Sequence, residues 1–203
     1  MLQRKTIEPG TLELLVELCS LSELNSFVLV GGTSLALQLG HRKSIDLDFF
    51  TNHDFSPDDL ISLLSQKYSL QVLQKTNKSL ICNINHVKVD FIFFAYPFQH
   101  PKITQDGIRL LAIEDIAPLK LDAISGRGSK KDFFDLYFLL KLYSLQELLN
   151  FYIELYPHQT TFHVLRSMVY FKDAENDPDP VLIDSTLTWD IIKLKIMEEI
   201  KLI

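Results

Sequence analysis

The chain has 203 residues, 47% of them hydrophobic and 23% charged, which fits one globular domain or one domain with a helical appendage. A formal net charge of -6 argues against non-specific wrapping of nucleic acid, and the two cysteines, Cys19 and Cys82, form neither a Cys-x-x-Cys motif nor a disulfide framework. No apolar run approaches the ~20 residues that span a bilayer, and MLQRKTIEPG does not read as a signal peptide, so a cytoplasmic protein without membrane association is expected.

In chain order, helical spacing of Leu12, Leu15, Val16, Leu18 and Cys19 predicts a helix within 8–25, with Pro9 at its start. Phe27–Val30 reads as a short buried strand, Thr33–Leu39 as a helix ending near Gly40, and Ile45–Phe50 as a second strand. Ser56 is a candidate N-cap with Pro57 in the first turn, and that helix is expected to reach about Tyr68. Leu70–Gln74, Leu80–Ile84 and Val87–Phe94 follow as strands, the last two joined by a tight Asn85-His86 turn. One more short strand is read at Gly107–Leu111. Beyond it the pattern is helical: 114–125, 130–142, 144–156, 161–172, a breaker at Asp177-Pro178-Asp179-Pro180, and a last amphipathic helix at 189–202. The expected fold class is therefore α+β, a small mixed sheet flanked by helices in residues 1–112, with a helical part in 113–203 packed on it.

The densest chemical signal is FVLVGGTSLALQLGHRKSIDLDFF, residues 27–50. Side chains two apart on a strand share a face, so Asp46 and Asp48 are expected to project together. A lone Asp-x-Asp is ordinarily a solvated edge or a turn. Here Ile45, Leu47, Phe49 and Phe50 predict a largely buried strand, where paired carboxylates need a counter-charge. A third acid, Asp90, sits in the apolar strand VKVDFIFF. Taken singly it reads as an ion-paired core residue; with Asp46 and Asp48 it suggests an oxygen-ligand site for Mg²⁺, with two ions expected. Gly31-Gly32-Thr33-Ser34, a strand-to-helix turn 14 and 16 residues ahead of those acids, could hold a triphosphate on free backbone N–H groups, with Ser34 Oγ as a further donor. The plainer reading of the turn makes Thr33 an N-cap.

Further along, Lys120 lies in the otherwise apolar IEDIAPLKLDAIS, either reaching phosphates or snorkelling, with Pro118 placed in a first turn or at a kink. SGRGSKKDFFD carries the basic cluster Arg127, Lys130 and Lys131. Ser129 is a candidate N-cap, and Asp132 is accounted for by the helix dipole. Asp135 is not, and should pair with a cation such as Lys120 or Arg127. The six histidines show no metal-site grouping, and no Gly-x-Ser-x-Gly elbow or Walker lysine loop is present.

With these blocks in hand, the chain resembles the AbiEii/AbiGii toxin family of nucleotidyltransferases, within the polymerase-β-like nucleotidyltransferase superfamily. The resemblance rests on GGTSLALQLGHRKSIDLDFF, VKVDFIFF and IEDIAPLKLDAISGRGSKKDFFDLYFLL, together with the tail YFKDAENDPDP. It implies a nucleotidyltransferase core over 1–112, NTP as substrate and Mg²⁺ as cofactor. Gly31, Gly32 and Ser34 match the glycine motif, Asp46 and Asp48 the metal pair, and Asp90 the third acid. Lys120 matches the family's lysine, and Asp132 and Asp135 its last acidic motif. By implication the chain is a transferase that moves NMP to an acceptor, tRNA or protein, as the toxin of a bacterial toxin–antitoxin or phage abortive-infection system, with a cognate antitoxin as partner. Two alternatives stand beside it: a catalytically weak nucleotide- or partner-binding module, and a small-molecule, antibiotic-type nucleotidyltransferase.

Overall fold

The computed structural model describes residues 1–183 and 186–203. Its strands are β1 (Val28–Val30), β2 (Leu47–Thr51), β3 (Leu70–Lys75), β4 (Ser79–Ile84), β5 (Val87–Phe93), β6 (Ile103–Gln105) and β7 (Ile108–Leu110). They form one mixed sheet in the order β3-β4-β5-β2-β1-β7-β6. At its centre β2 runs antiparallel to β1 and parallel to β5, and β1 runs parallel to β7. The helices are α1 (Pro9–Ser20), α2 (Gly31–Leu39), α3 (Pro57–Ser65), α4 (Ile113–Gly126), α5 (Lys130–Leu139), α6 (Leu145–Leu155), α7 (Phe162–Met168) and α8 (Trp189–Lys201). The expected α+β class is what the chain adopts. No helix among the described residues is long and apolar enough to cross a membrane.

Strand alternation divides the core between the two faces of the sheet. Leu29, Leu47, Phe49, Val89 and Phe91 point into one cluster with Leu14, Leu15, Leu18, Leu60 and Leu64 of α1 and α3. Val28 and Val30 point the other way, into a second cluster with α4–α8, whose members include Leu121, Phe133, Leu136, Tyr152 and Ile192. The helix α2 serves both clusters, giving Leu35 to the second and Leu37 to the first. Asp48 and Asp90 alternate with Leu47, Phe49, Val89 and Phe91, so they stand on the face that the helical part covers.

Several local expectations are met at residue level. Ser56 Oγ accepts the Asp59 N–H with Pro57 at the start of α3, and Gly40 closes α2 in the left-handed region at φ 74°. Asn85 and His86 make the β4–β5 turn with φ of 49° and 69°, the doubly positive pattern of a two-residue hairpin. Other expectations shift. Helix α3 stops at Ser65 rather than Tyr68, and Ile45 is 64% exposed, so the buried strand begins at Leu47 and Asp46 lies just ahead of it. The strand read at Gly107–Leu111 is half of a hairpin, β6–β7, turning at Asp106-Gly107. Pro118 falls inside α4, which continues past it.

Candidate active site

A cavity of about 290 Å³ opens where the sheet face meets α4, lined by Gly31, Gly32, Arg42, Asp46, Asp48, Lys88, Asp90, Lys120, Arg127 and Lys131 among others. One wall is acidic. Val30 of β1 pairs with Asp48 of β2, and Asp48 is in register with Asp90 of β5, which sets the two carboxylates side by side on adjacent strands. Asp48 makes no ion pair among the described residues. Burial, then the neighbouring Asp90, pushes its carboxyl above the usual range against the pull of Lys120 and Lys88. Asp90 is closed by Lys88 Nζ at 2.8 Å from both oxygens. Asp46 is positioned through its backbone: Thr33 Oγ1 donates to the Asp46 carbonyl and accepts from the Ser44 hydroxyl at 2.8 Å.

The glycine turn fits against this wall. Gly31 has φ 69°, and a Cβ there would stand 2.5 Å from Asp48 Oδ2. A Cβ on Gly32 would run into Arg42 Nη2. Val30, not Thr33, is the N-cap of α2, and no side chain caps the helix. The first backbone N–H groups of α2 are thus left without a capping side chain beside the cavity.

The opposite wall is a buried ion cluster. Asp135, with its side chain fully buried, accepts Arg42 Nε at 2.6 Å and Nη2 at 2.9 Å, His41 Nε2 at 2.7 Å, and Lys120 Nζ at 2.6 Å. Burial alone would raise its pKa; Arg42 and Lys120 instead hold it well below the usual carboxylate range. Asp132, equally buried, is bound by Lys120 Nζ at 3.2 Å and by Arg127 Nε and Nη2 at 2.8 Å each. Here too the cations overcome burial and lower the carboxyl. Burial lowers the His41 pKa despite Asp135, so the ring is neutral; because a carboxylate only accepts, Nε2 carries the proton.

The cavity brings together Gly31, Gly32, Asp46, Asp48, Asp90 and Lys120 from the sequence reading. It leaves out two. Ser34 is fully buried in α2, its Oγ near Gln38 Nε2 at 3.3 Å, because the helix turns it into the protein. Asp135 sits behind Lys120 and Arg42. Lys120 does not snorkel: its ammonium is buried between two carboxylates. The dipole account of Asp132 was incomplete, since its ion pairs hold it. Lys130 turns away from the basic loop to Asp179 Oδ1 at 3.0 Å, and Asp177 accepts the Lys130 N–H at 2.9 Å, taking the capping part expected of Ser129.

Sequence reasoning missed Lys88, although Lys88 and Asp90, two apart on a strand, necessarily share a face. His41 and Arg42 were also missed. Their signal, two polar residues directly after the Gly40 helix stop, does not separate a surface loop from a buried one.

Among the described residues no group of three His, Cys, Asp or Glu side chains is gathered as a metal site. The donor chemistry nevertheless fits Mg²⁺: the wall offers the carboxylate oxygens of Asp46, Asp48 and Asp90, and Asp48 is a half-buried acid with no ion pair among the described residues.

A model of the family described as nucleotidyl transferase AbiEii toxin, type IV TA system, matches residues 13–201. An uncharacterized protein of Aquifex aeolicus (strain VF5), aq_aa25, is 37% identical over 172 residues, covering 81% of this chain and 83% of that protein. Among solved structures, JHP933 from Helicobacter pylori superposes with a TM-score of 0.60 at 19% identity, over 97% of this chain and 92% of that one. MenT4, a nucleotidyltransferase toxin from Mycobacterium tuberculosis H37Rv, superposes with a TM-score of 0.61 at 15% identity, over 92% and 79%. At such identities the two structures speak for the fold. The family match spans nearly the whole chain and includes every residue of the cavity named above. The chain therefore belongs to the AbiEii toxin family of nucleotidyltransferases.

Proposed function

We propose that the protein transfers a nucleoside monophosphate from an NTP to the end of an RNA, in the first place a tRNA, with Asp46, Asp48 and Asp90 holding Mg²⁺. We propose further that it is the toxin of a bacterial toxin–antitoxin pair, with a cognate antitoxin as partner, acting in the arrest of phage-infected cells. The observation that carries this reading is one cavity with carboxylates on one wall, cations on the other, and the Gly31-Gly32 turn between them.

In the reaction an acceptor hydroxyl oxygen bonds to the α-phosphorus, the bond from that phosphorus to the bridging oxygen breaks, and pyrophosphate leaves with the electron pair. Bound Mg²⁺ supplies Lewis-acid stabilisation of phosphoryl charge and lowers the pKa of the attacking hydroxyl. The chain's own groups bind and orient. Backbone N–H groups at the start of α2 meet phosphate oxygens, and Lys120, held between Asp132 and Asp135, adds positive potential from α4. The proton of the acceptor hydroxyl passes to a carboxylate of the acidic wall or to water. Arg127 and Lys131 at the cavity favour RNA over a protein hydroxyl as acceptor, because a polyphosphate backbone needs such contacts.

The test is incubation of the purified protein with each labelled NTP, Mg²⁺ and total RNA, in parallel with protein extract. Label in RNA, lost with Asp48→Asn, is the expected result. Label confined to protein would overturn the RNA acceptor, and no label in either would overturn nucleotidyl transfer.

A further inference from the structure

We propose that Arg42 grips the triphosphate of the incoming nucleotide, and that Asp135 and His41 are its positioning residues; this rests on the nucleotidyl-transfer reading above. Arg42 is only 4% exposed, yet its side chain lines the cavity. A guanidinium has five N–H donors. Three are spent: Nε and Nη2 on the two oxygens of Asp135, and Nη1 on the Lys43 carbonyl at 2.9 Å. One N–H on each terminal nitrogen remains, with no further acceptor among the described residues.

The surroundings fix the guanidinium in this place. Gly32 lacks the side chain that would displace Nη2. Asp135 is itself fixed by His41 and Lys120. The loop that carries His41 and Arg42 is clasped from behind by the chain near residue 182: Lys43 N–H donates to the Val181 carbonyl at 2.7 Å, and Ile183 N–H to the His41 carbonyl at 3.0 Å. So many restraints on one arginine leave its free N–H groups preorganised, which limits the entropy lost when an anion binds.

Charge gives the ligand class. Arg42, Lys120 and Arg127 face the carboxylates of Asp132 and Asp135, with His41 neutral, so this wall holds one more cation than anions. The acidic wall across the cavity repels a bare anion but suits a Mg²⁺-bound one. A planar, weakly hydrated guanidinium fits phosphate oxygens better than an ammonium in a buried position.

The experiment is calorimetric titration of the full-length protein, at fixed Mg²⁺, with inorganic tripolyphosphate and with the NTP that labels RNA best. Arg42→Gln is expected to weaken both at least tenfold. Arg42→Lys keeps the charge opposite Asp135 but offers three donors on one nitrogen in place of the planar five-donor fork, so an intermediate loss is expected. Should Arg42→Gln fail to fold, Asp135→Asn is compared with the double variant Arg42→Gln/Asp135→Asn, in which neither partner is left as an orphan charge. A further tenfold loss of tripolyphosphate affinity in the double variant supports a direct grip. Equal affinities in those two variants would overturn the role of Arg42 and leave nucleotidyl transfer intact. A wild-type protein that binds neither tripolyphosphate nor any NTP would overturn both.

Discussion

Asp48 and Asp135 are both acids facing buried charge, and they are shifted in opposite directions. Asp48 is raised by burial and Asp90. Its folded form binds a proton more tightly than the unfolded chain does, so stability falls as pH rises from the ordinary carboxylate range through the raised value. Asp48→Asn should therefore raise the melting temperature at pH 7 without Mg²⁺, abolish transfer, and reduce the stabilisation that Mg²⁺ gives the wild type. An equal Mg²⁺ shift in both proteins would remove Asp48 from the metal site. Asp135 is held far below the ordinary range by Arg42 and Lys120 against the effect of burial. Its contribution is complete above the unfolded carboxylate pKa and is lost as pH falls through the depressed value. Asp135→Asn should cost about 3–5 kcal/mol, because the buried Arg42 loses its carboxylate partner and Lys120 loses one of its two. In urea titrations the gap from wild type should hold from pH 7 to about pH 5 and narrow below about pH 4.

At the scale of elements, the turn between β1 and α2 does two jobs through one glycine. Gly31 takes a left-handed backbone and lets the Asp48 carboxylate lie against it. Gly31→Ala should cost about 1–2 kcal/mol in backbone strain alone. Asp48 must also move, so activity should fall further than stability predicts. His86→Gly, in the doubly positive hairpin turn far along the sequence, should instead stabilise the fold by about 1 kcal/mol and leave transfer rates unchanged. Urea denaturation paired with the transfer assay checks both. That hairpin was legible because strand alternation on both sides left two turn residues between. Strand β6 escaped notice: Ile103-Thr104-Gln105 is three residues long, mostly exposed and close behind Pro101, too short to show a period.

For the whole molecule, net charge misleads about the cavity. The chain is acidic overall, yet Arg127 and Lys131 line the site beside Lys120. If RNA is the acceptor, Lys131→Ala should lower the slope of log affinity against log salt by about 1, while NTP binding changes little. An unchanged slope would remove the loop from the RNA path. Lys130 is not included, because its ammonium is buried against Asp179 and the face of Trp189; replacing it would test packing rather than binding.

The α+β class, most helices, the central strands and the acids Asp46, Asp48 and Asp90 could be read from the chain itself. Each depends on a local pattern: a period of 3.6 for a helix, of 2 for a strand, the spacing from Gly32 to Asp46 and Asp48, and for Asp90 a lone carboxylate in an apolar strand. Burial of the ion cluster could not be read that way. His41 and Arg42 meet Asp135 across more than 90 residues of sequence, and no period links them. The same holds for Lys130, drawn from the basic loop to Asp179, and for Ser34, which the turn of α2 carries out of the cavity. Local spacing fixes which face of an element a residue occupies. Which charges meet across that face depends on how the helices after residue 112 close over the sheet, and only packing decides that.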